Sequence, residues 1–228
     1  MRSTLLPALV NTLLLVALPT SAATPPTFEH LKAWAPAEQV ALGISVNDLV
    51  PVTLLGGEQA YLASVSYQKA PRNFWAGYLL VRPRLQRARA LEDFGGHYNE
   101  ITPLEPSSES QRVVLVGSAA SGQGYSERIY SVVTFDGWNA KSLYRVSESD
   151  NSGHCGQLAE THCKGNTVFI NVLTEGVPAD KLALVVTDVH YSSPDFETTA
   201  ARFTHYTKVV LLPKPQRAPD SGRQDIDP

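Results

Sequence analysis

Short apolar runs, separated by turn residues, recur along most of this chain and restrict what it can form. Their alternating, β-branched and aromatic residues are typical of half-buried strands. The dipeptides Gly56-Gly57 and Asp136-Gly137 stand where hairpin turns would connect neighbouring runs. The runs cover residues 40–46, 52–55, 61–67, 74–81, 112–118, 126–135, 141–146, 167–173, 182–189 and 203–212. They predict an antiparallel β protein.

The fold class expected is therefore mainly β: an antiparallel sandwich or barrel of about ten short strands with one short helix. The helix is predicted over residues 84–94, where Leu85, Ala88 and Leu91 recur at helical spacing. Residues 28–34 can also form a short helix. A propeller-like β domain is the alternative, because residues 176–186 resemble the blade ends of secreted propellers. No fixed repeat period accompanies that resemblance.

The first 23 residues have the pattern of a secretory signal peptide. Arg2 precedes an apolar stretch over residues 5–18, and small residues follow at 21–23. We expect a single β-rich domain over residues 24–212 and a disordered C-terminal tail over residues 213–228, which is rich in proline and polar residues. The predicted location is periplasmic or secreted, with no stable membrane insertion after the signal is removed.

The net charge and the two cysteines indicate which kinds of binding site to expect. The 19 basic and 22 acidic residues give a formal charge of −3, which does not predict nucleic-acid binding. Cys155 and Cys163 are predicted to form a disulfide in an oxidising compartment. His154 and His162 flank them, but the cysteine spacing does not match a zinc knuckle. No metal site and no cofactor are predicted.

Two loops are the predicted binding surface. The disulfide would hold one of them in a single conformation, which lowers the entropy lost on binding. The other is a glycine-rich hairpin. The candidate binding residues are Asp150, Asn151, His154, Gln157 and His162 in the cysteine loop, and Ser121, Gln123, Tyr125 and Glu127 in the hairpin. They predict a non-enzymatic binding protein, such as an inhibitor, an immunity protein or an envelope interaction protein. Its partner would be another envelope protein or a glycan.

Two other functions remain open from the sequence. An envelope hydrolase could use Asp188 and His190, which share one face of a predicted strand, together with His205 in the following strand. A carbohydrate-binding module could stack sugars on exposed aromatic side chains. The aromatic residues considered for that role are Tyr61, Tyr67, Trp75, Tyr78 and Trp138.

Overall fold

The computed structural model describes residues 25–105, 107–155, 162–194 and 201–215. These segments form two short α-helices, α1 (Phe28–Trp34) and α2 (Ala37–Ala41), and eleven strands. The strands are β1 (Ile44–Thr53), β2 (Gln59–Tyr67), β3 (Ala76–Arg82), β4 (Arg87–Ala90), β5 (Asn99–Pro103), β6 (Val114–Gly122), β7 (Tyr125–Asp136), β8 (Asn139–Asp150), β9 (Cys163–Leu173), β10 (Lys181–Ser193) and β11 (Arg202–Pro213). The predicted signal peptide, the tail after residue 215 and Gln157 lie outside the described residues.

The strands form two antiparallel sheets. The four-stranded sheet has the order β1-β2-β3-β4, and the seven-stranded sheet has the order β11-β10-β9-β8-β7-β6-β5. Neither sheet closes on itself, so the mainly β, antiparallel prediction is confirmed without a barrel. The alternative of a propeller is wrong, because the described strands lie in two sheets and not in a ring of blades.

The two central strands of the four-stranded sheet, β2 and β3, are buried on both faces because they carry apolar residues at successive positions. In β2, Leu62 points into a core shared with Val116 and Phe135 of the larger sheet. The neighbouring residues Tyr61 and Ala63 point into a second core that includes Leu31 of α1. This arrangement explains why the runs in β2 and β3 read as continuously apolar.

The seven-stranded sheet folds over itself between β8 and β9. The backbone ladder between these two strands consists of only two residue pairs, Ser149–Asn166 and Asp150–Gly165. Beyond them, Leu115 and Val132 of the first part pack against Leu184 and Val186 of β10 in a third core. Successive residues of β6 contribute to different cores, so the part from β5 to β8 lies between two apolar layers.

The helix predicted over residues 84–94 is wrong. The chain makes a short 3-10 turn over Pro83–Leu85, and Gln86 then has a φ of 51°, which an α-helix does not allow. Residues Arg87–Ala90 form β4, in which Ala88 pairs with Val81 of β3. Ala88 is thereby buried in the core beneath α1. Pairing with β3 outweighs the helical spacing of the local sequence.

The N-terminal region also differs from the strand prediction. The helix expected over residues 28–34 is confirmed as α1, and Thr27 caps it by accepting a hydrogen bond from the His30 backbone N–H. Val40 belongs to α2, so no strand spans 40–46. The runs at 40–46 and 52–55 are replaced by one continuous strand, β1, whose register shifts near Asn47.

Candidate functional site

The tip of the β6–β7 hairpin, residues 122–125, packs against a turn formed by residues 151–155. Gln123 and Gly124 both have positive φ, as a two-residue hairpin turn requires. A Cβ at Gly124 would lie 2.5 Å from the carbonyl carbon of Gly153 and 2.6 Å from the His154 nitrogen. Glycine at position 124 therefore permits this contact. Beside it, the Tyr125 and His154 rings lie 5.2 Å apart.

The turn is held at both ends. Cys155 and Cys163 form the predicted disulfide, with 4.9 Å between their Cα atoms. The buried Asn151 side chain donates to the His162 carbonyl oxygen at 2.9 Å and accepts from the Lys164 N–H at 2.7 Å. Its backbone carbonyl accepts from the N–H groups of His154 and Cys155. We call residues 151–155 the disulfide-held turn, and its surface together with the hairpin tip the tip–turn surface.

Asp150 contributes to this region as a hydrogen-bond acceptor. Burial would raise the pKa of its carboxyl group, but hydrogen bonds from Ser152 and from the Tyr191 hydroxyl hold that pKa below its usual value. Burial and the same hydrogen bond raise the pKa of Tyr191 to about 12. Gly165 leaves room for the Tyr191 ring, because a Cβ there would lie 2.7 Å from that ring. Asp150 is thus ionised and hydrogen-bonded at neutral pH.

The candidate binding residues divide by exposure. Ser121, Gln123, Glu127 and His162 are exposed, and half of the Tyr125 surface is accessible. His154 and Asp150 are partly buried. Asn151 is 4% exposed, so it shapes the turn and presents almost no surface to a partner.

A cleft of about 640 Å³ opens between the two sheets, next to the same hairpin. Ser121 and Glu127 line it, as does Phe74, which is 67% exposed. In the described part of the chain, its charged lining residues are all acidic: Glu92, Asp93 and Glu127. Sequence reasoning missed Phe74, Glu92 and Asp93, since they come from loops that only the tertiary structure brings together. We refer to this feature as the acidic cleft.

Close backbone contacts connect the two sheets at the floor of the acidic cleft. Gly96 exchanges two hydrogen bonds of 2.9 Å with Ala76 of the smaller sheet. It also bridges to Ala119 of the larger sheet. Gly96 has a φ of 112°, and a Cβ there would overlap the Ala119 carbonyl oxygen. Across the opening, the Asn73 side chain donates to the Ser121 carbonyl oxygen at 2.6 Å.

The residues of the hydrolase hypothesis do not all converge. His190 Nε2 lies 3.1 Å from Asp188 Oδ2, and Asn166 donates to the other oxygen of Asp188 at 2.9 Å. His205 pairs with Val189 in the β10–β11 register, so its side chain lies on the opposite face of the sheet. Among the described residues, no group of three or more His, Cys, Asp and Glu side chains could hold a metal ion.

Most of the aromatic residues considered for sugar stacking are not available for it. Three are buried: Tyr61, Tyr67 and Tyr78. The Trp138 ring contacts two guanidinium groups, with Arg82 at 4.8 Å and Arg89 at 5.0 Å from its centre. Trp75 is 45% exposed. One exposed aromatic of the five does not make a stacking platform.

No helix in the described part of the chain is long and apolar enough to cross a membrane. Comparisons with protein-family models, with curated proteins and with solved structures find no match to this chain.

Proposed function

We propose that this chain is an exported, non-enzymatic binding protein of the bacterial envelope, and that it binds another envelope protein through the tip–turn surface. The observation that carries the proposal is the packing of Gly124 on Gly153 beside the Tyr125–His154 ring contact. Two loops far apart in sequence thereby form one continuous surface. Periplasmic location rests on the N-terminal sequence pattern, with which the disulfide is compatible.

Rigidity supports a binding role for this surface. The disulfide, the buried Asn151 side chain and the tight Gln123-Gly124 turn each restrict backbone motion before any partner arrives. Association costs less when the contacting loops are already ordered. Tyr125 supplies a half-exposed aromatic ring, a residue type that often dominates the energy of protein interfaces.

The adjoining acidic cleft indicates the charge of the partner. Glu92, Asp93 and Glu127 are exposed and line a space that could receive a side chain. Among the described residues, the cleft lining includes no Lys, Arg or His. A partner segment that carries lysine or arginine would complement the negative charge of these three residues. Complementary charge mainly speeds association at low salt. The proposed partner therefore presents a basic segment.

Affinity capture with variant baits tests this proposal. The oxidised protein, purified in its exported form, is immobilised and exposed to an envelope extract from the source organism at low and high salt. Mass spectrometry quantifies what each bait retains. The test variant combines Tyr125→Ala with His154→Ala, and a second variant combines Glu92→Gln with Glu127→Gln. Phe169→Ala is the matched control, since Phe169 is an exposed aromatic on β9.

We expect the wild-type bait to retain one envelope protein, and the Phe169→Ala bait to retain the same protein in equal amount. Loss of both rings should lower its retention at least about tenfold, as expected for an interface hot spot. Loss of the carboxylates should mainly weaken capture at low salt. Equal retention by all folded baits would exclude the tip–turn surface. Retention of glycans without protein would favour the carbohydrate-binding function instead.

A further inference from the structure

Strand β11 forms one end of the seven-stranded sheet, and no described residue pairs with its outer edge. It pairs with β10 along its whole length without a register shift. Exposed edge strands usually carry a bulge, a central proline or several charges that prevent further pairing. Between its ends, β11 has no proline and a single charged residue, Lys208. This edge lacks the usual protection against pairing with another strand.

The outward backbone groups of β11 belong to its odd-numbered residues. The Lys214 N–H donates to the Asp180 carbonyl oxygen at 2.8 Å, which continues the β10–β11 register by one pair. Hydrogen-bonded pairs recur every second residue in an antiparallel ladder, so the even-numbered residues of β11 bond to β10. The N–H and C=O groups of Phe203, His205, Thr207, Val209 and Leu211 therefore point away from the sheet.

The exposed side chains of β11 are self-complementary in one antiparallel register. A two-fold axis perpendicular to the sheet at Thr207 places Phe203 opposite Leu211 of a second copy, and His205 opposite its Val209. Phe203, Val209 and Leu211 are 69%, 57% and 58% exposed, so pairing would shield three large apolar side chains per copy.

Charge favours the same register. On the other face, Lys208 would lie opposite Tyr206 of the second copy, and an ammonium group and an aromatic ring attract each other. The Lys208 ammonium group lies 5.6 Å from the centre of the Tyr144 ring of its own chain, so this second ring would add to an existing contact. Moving the axis by one residue to Lys208 would place the two lysines directly opposite each other, which is unfavourable. The segment after Pro213 is a poor competitor for this edge, because it contains Pro215, Pro219 and Pro228.

We propose that the protein forms a symmetric dimer in which β11 pairs with β11 of a second copy, with Thr207 at the two-fold axis. The two seven-stranded sheets would then be continuous across the dimer. This interface is of the isologous type, in which each copy contributes the same surface. Because β11 is not part of the tip–turn surface, the dimer does not depend on the proposed binding function.

Cysteine cross-linking of the full exported chain tests both the dimer and its register. The two native cysteines are bonded to each other, so a Thr207→Cys variant carries one free thiol. At the proposed axis the two Cα atoms would lie ~5.5 Å apart, within the range of a disulfide. The control is Thr187→Cys, on the neighbouring position of β10, whose copies would lie roughly 15 Å apart across three strand spacings.

The expected result is a covalent dimer of Thr207→Cys under mild oxidation and a monomer of Thr187→Cys. Light scattering should give twice the monomer mass for the wild type in the micromolar range. It should give the monomer mass for a folded Val209→Lys variant, which adds a charge to the edge. A monomeric wild type, or equal cross-linking of both cysteine variants, would overturn the proposal.

Discussion

Substitution of Tyr78 by phenylalanine should destabilise the protein far more than the loss of one surface hydroxyl would. Tyr78 is 1% exposed and belongs to β3 of the smaller sheet. Its hydroxyl donates to the Gly117 carbonyl oxygen and accepts from the Glu100 N–H at 2.7 Å. Glu100 and Gly117 are register partners in β5 and β6, so the hydroxyl joins one sheet to the end of the other.

The expected loss of stability comes from two backbone groups that would no longer have a hydrogen-bond partner. In Tyr78→Phe, the Glu100 N–H and the Gly117 carbonyl lose a partner where little water can replace it, and each such group costs about 1–3 kcal/mol. We expect a decrease in unfolding free energy of about 3 kcal/mol. At about 2–4 °C per kcal/mol for a domain of this size, Tm should fall by about 6–12 °C. Burial also raises the pKa of Tyr78, so the hydroxyl stays protonated and can donate at neutral pH.

Urea denaturation followed by tryptophan fluorescence measures this loss, with Tyr144→Phe as the matched control. The Tyr144 hydroxyl is buried and has no hydrogen-bond partner among the described residues. Its removal should leave stability unchanged or raise it slightly. A Tyr78→Phe variant within about 0.5 kcal/mol of the wild type, the typical effect of a surface substitution, would refute the bridging role of the hydroxyl.

Three further perturbations test other parts of the structure. Glu58→Gln removes the carboxylate bound to the buried Arg82 guanidinium at 2.5 Å, and should lower the unfolding free energy by about 3 kcal/mol in urea. Gly96→Ala places a methyl group against the Ala119 carbonyl at positive φ, and calorimetry should show a loss of at least about 2 kcal/mol. The lowered pKa of Asp150 gives stability that is present above the usual carboxyl pKa and lost as the pH falls through the folded value. Between about pH 5 and about pH 2 the wild type should therefore lose more unfolding free energy than Asp150→Asn, and equal losses would contradict this.

Local patterns were sufficient to predict most strands but not the sheet order. The β-branched and aromatic residues of 126–135 and 203–212 identify these runs as strands. Their burial still differs, since both faces of β7 are buried from Ser131 to Phe135 whereas most of β11 is exposed. At residues 84–94 the local pattern instead led to the wrong prediction of a helix. Leu85, Ala88 and Leu91 have helical spacing, yet Ala88 pairs with Val81 and Leu91 reaches the core between the sheets. Strand pairing depends on β3, which a local window does not include.

The parts of the candidate site that depend on residues close together in sequence could be predicted. Cys155 and Cys163 are close in sequence, and the Ser/Gly-rich residues 119–125 predict a connection between two strands, so the disulfide and the hairpin could be inferred. Strand pairing extends to Gly122 and Tyr125, which shortens the turn itself to Gln123-Gly124. The contact of Gly124 with Gly153 could not be inferred, because it requires β7 and β8 to pair in one register. The acidic cleft depends on even more distant residues, since Phe74 and Glu127 line the same space only because Gly96 joins the two sheets.

Amide hydrogen exchange, with and without the retained partner, tests the binding surface most directly. The partner should slow exchange in residues 121–127 and in residues 151–155 together, because both segments belong to one surface. Exchange in β9 over residues 167–173, on a different part of the sheet, should not change. Slower exchange confined to regions outside the tip–turn surface and the acidic cleft would show that the partner binds elsewhere.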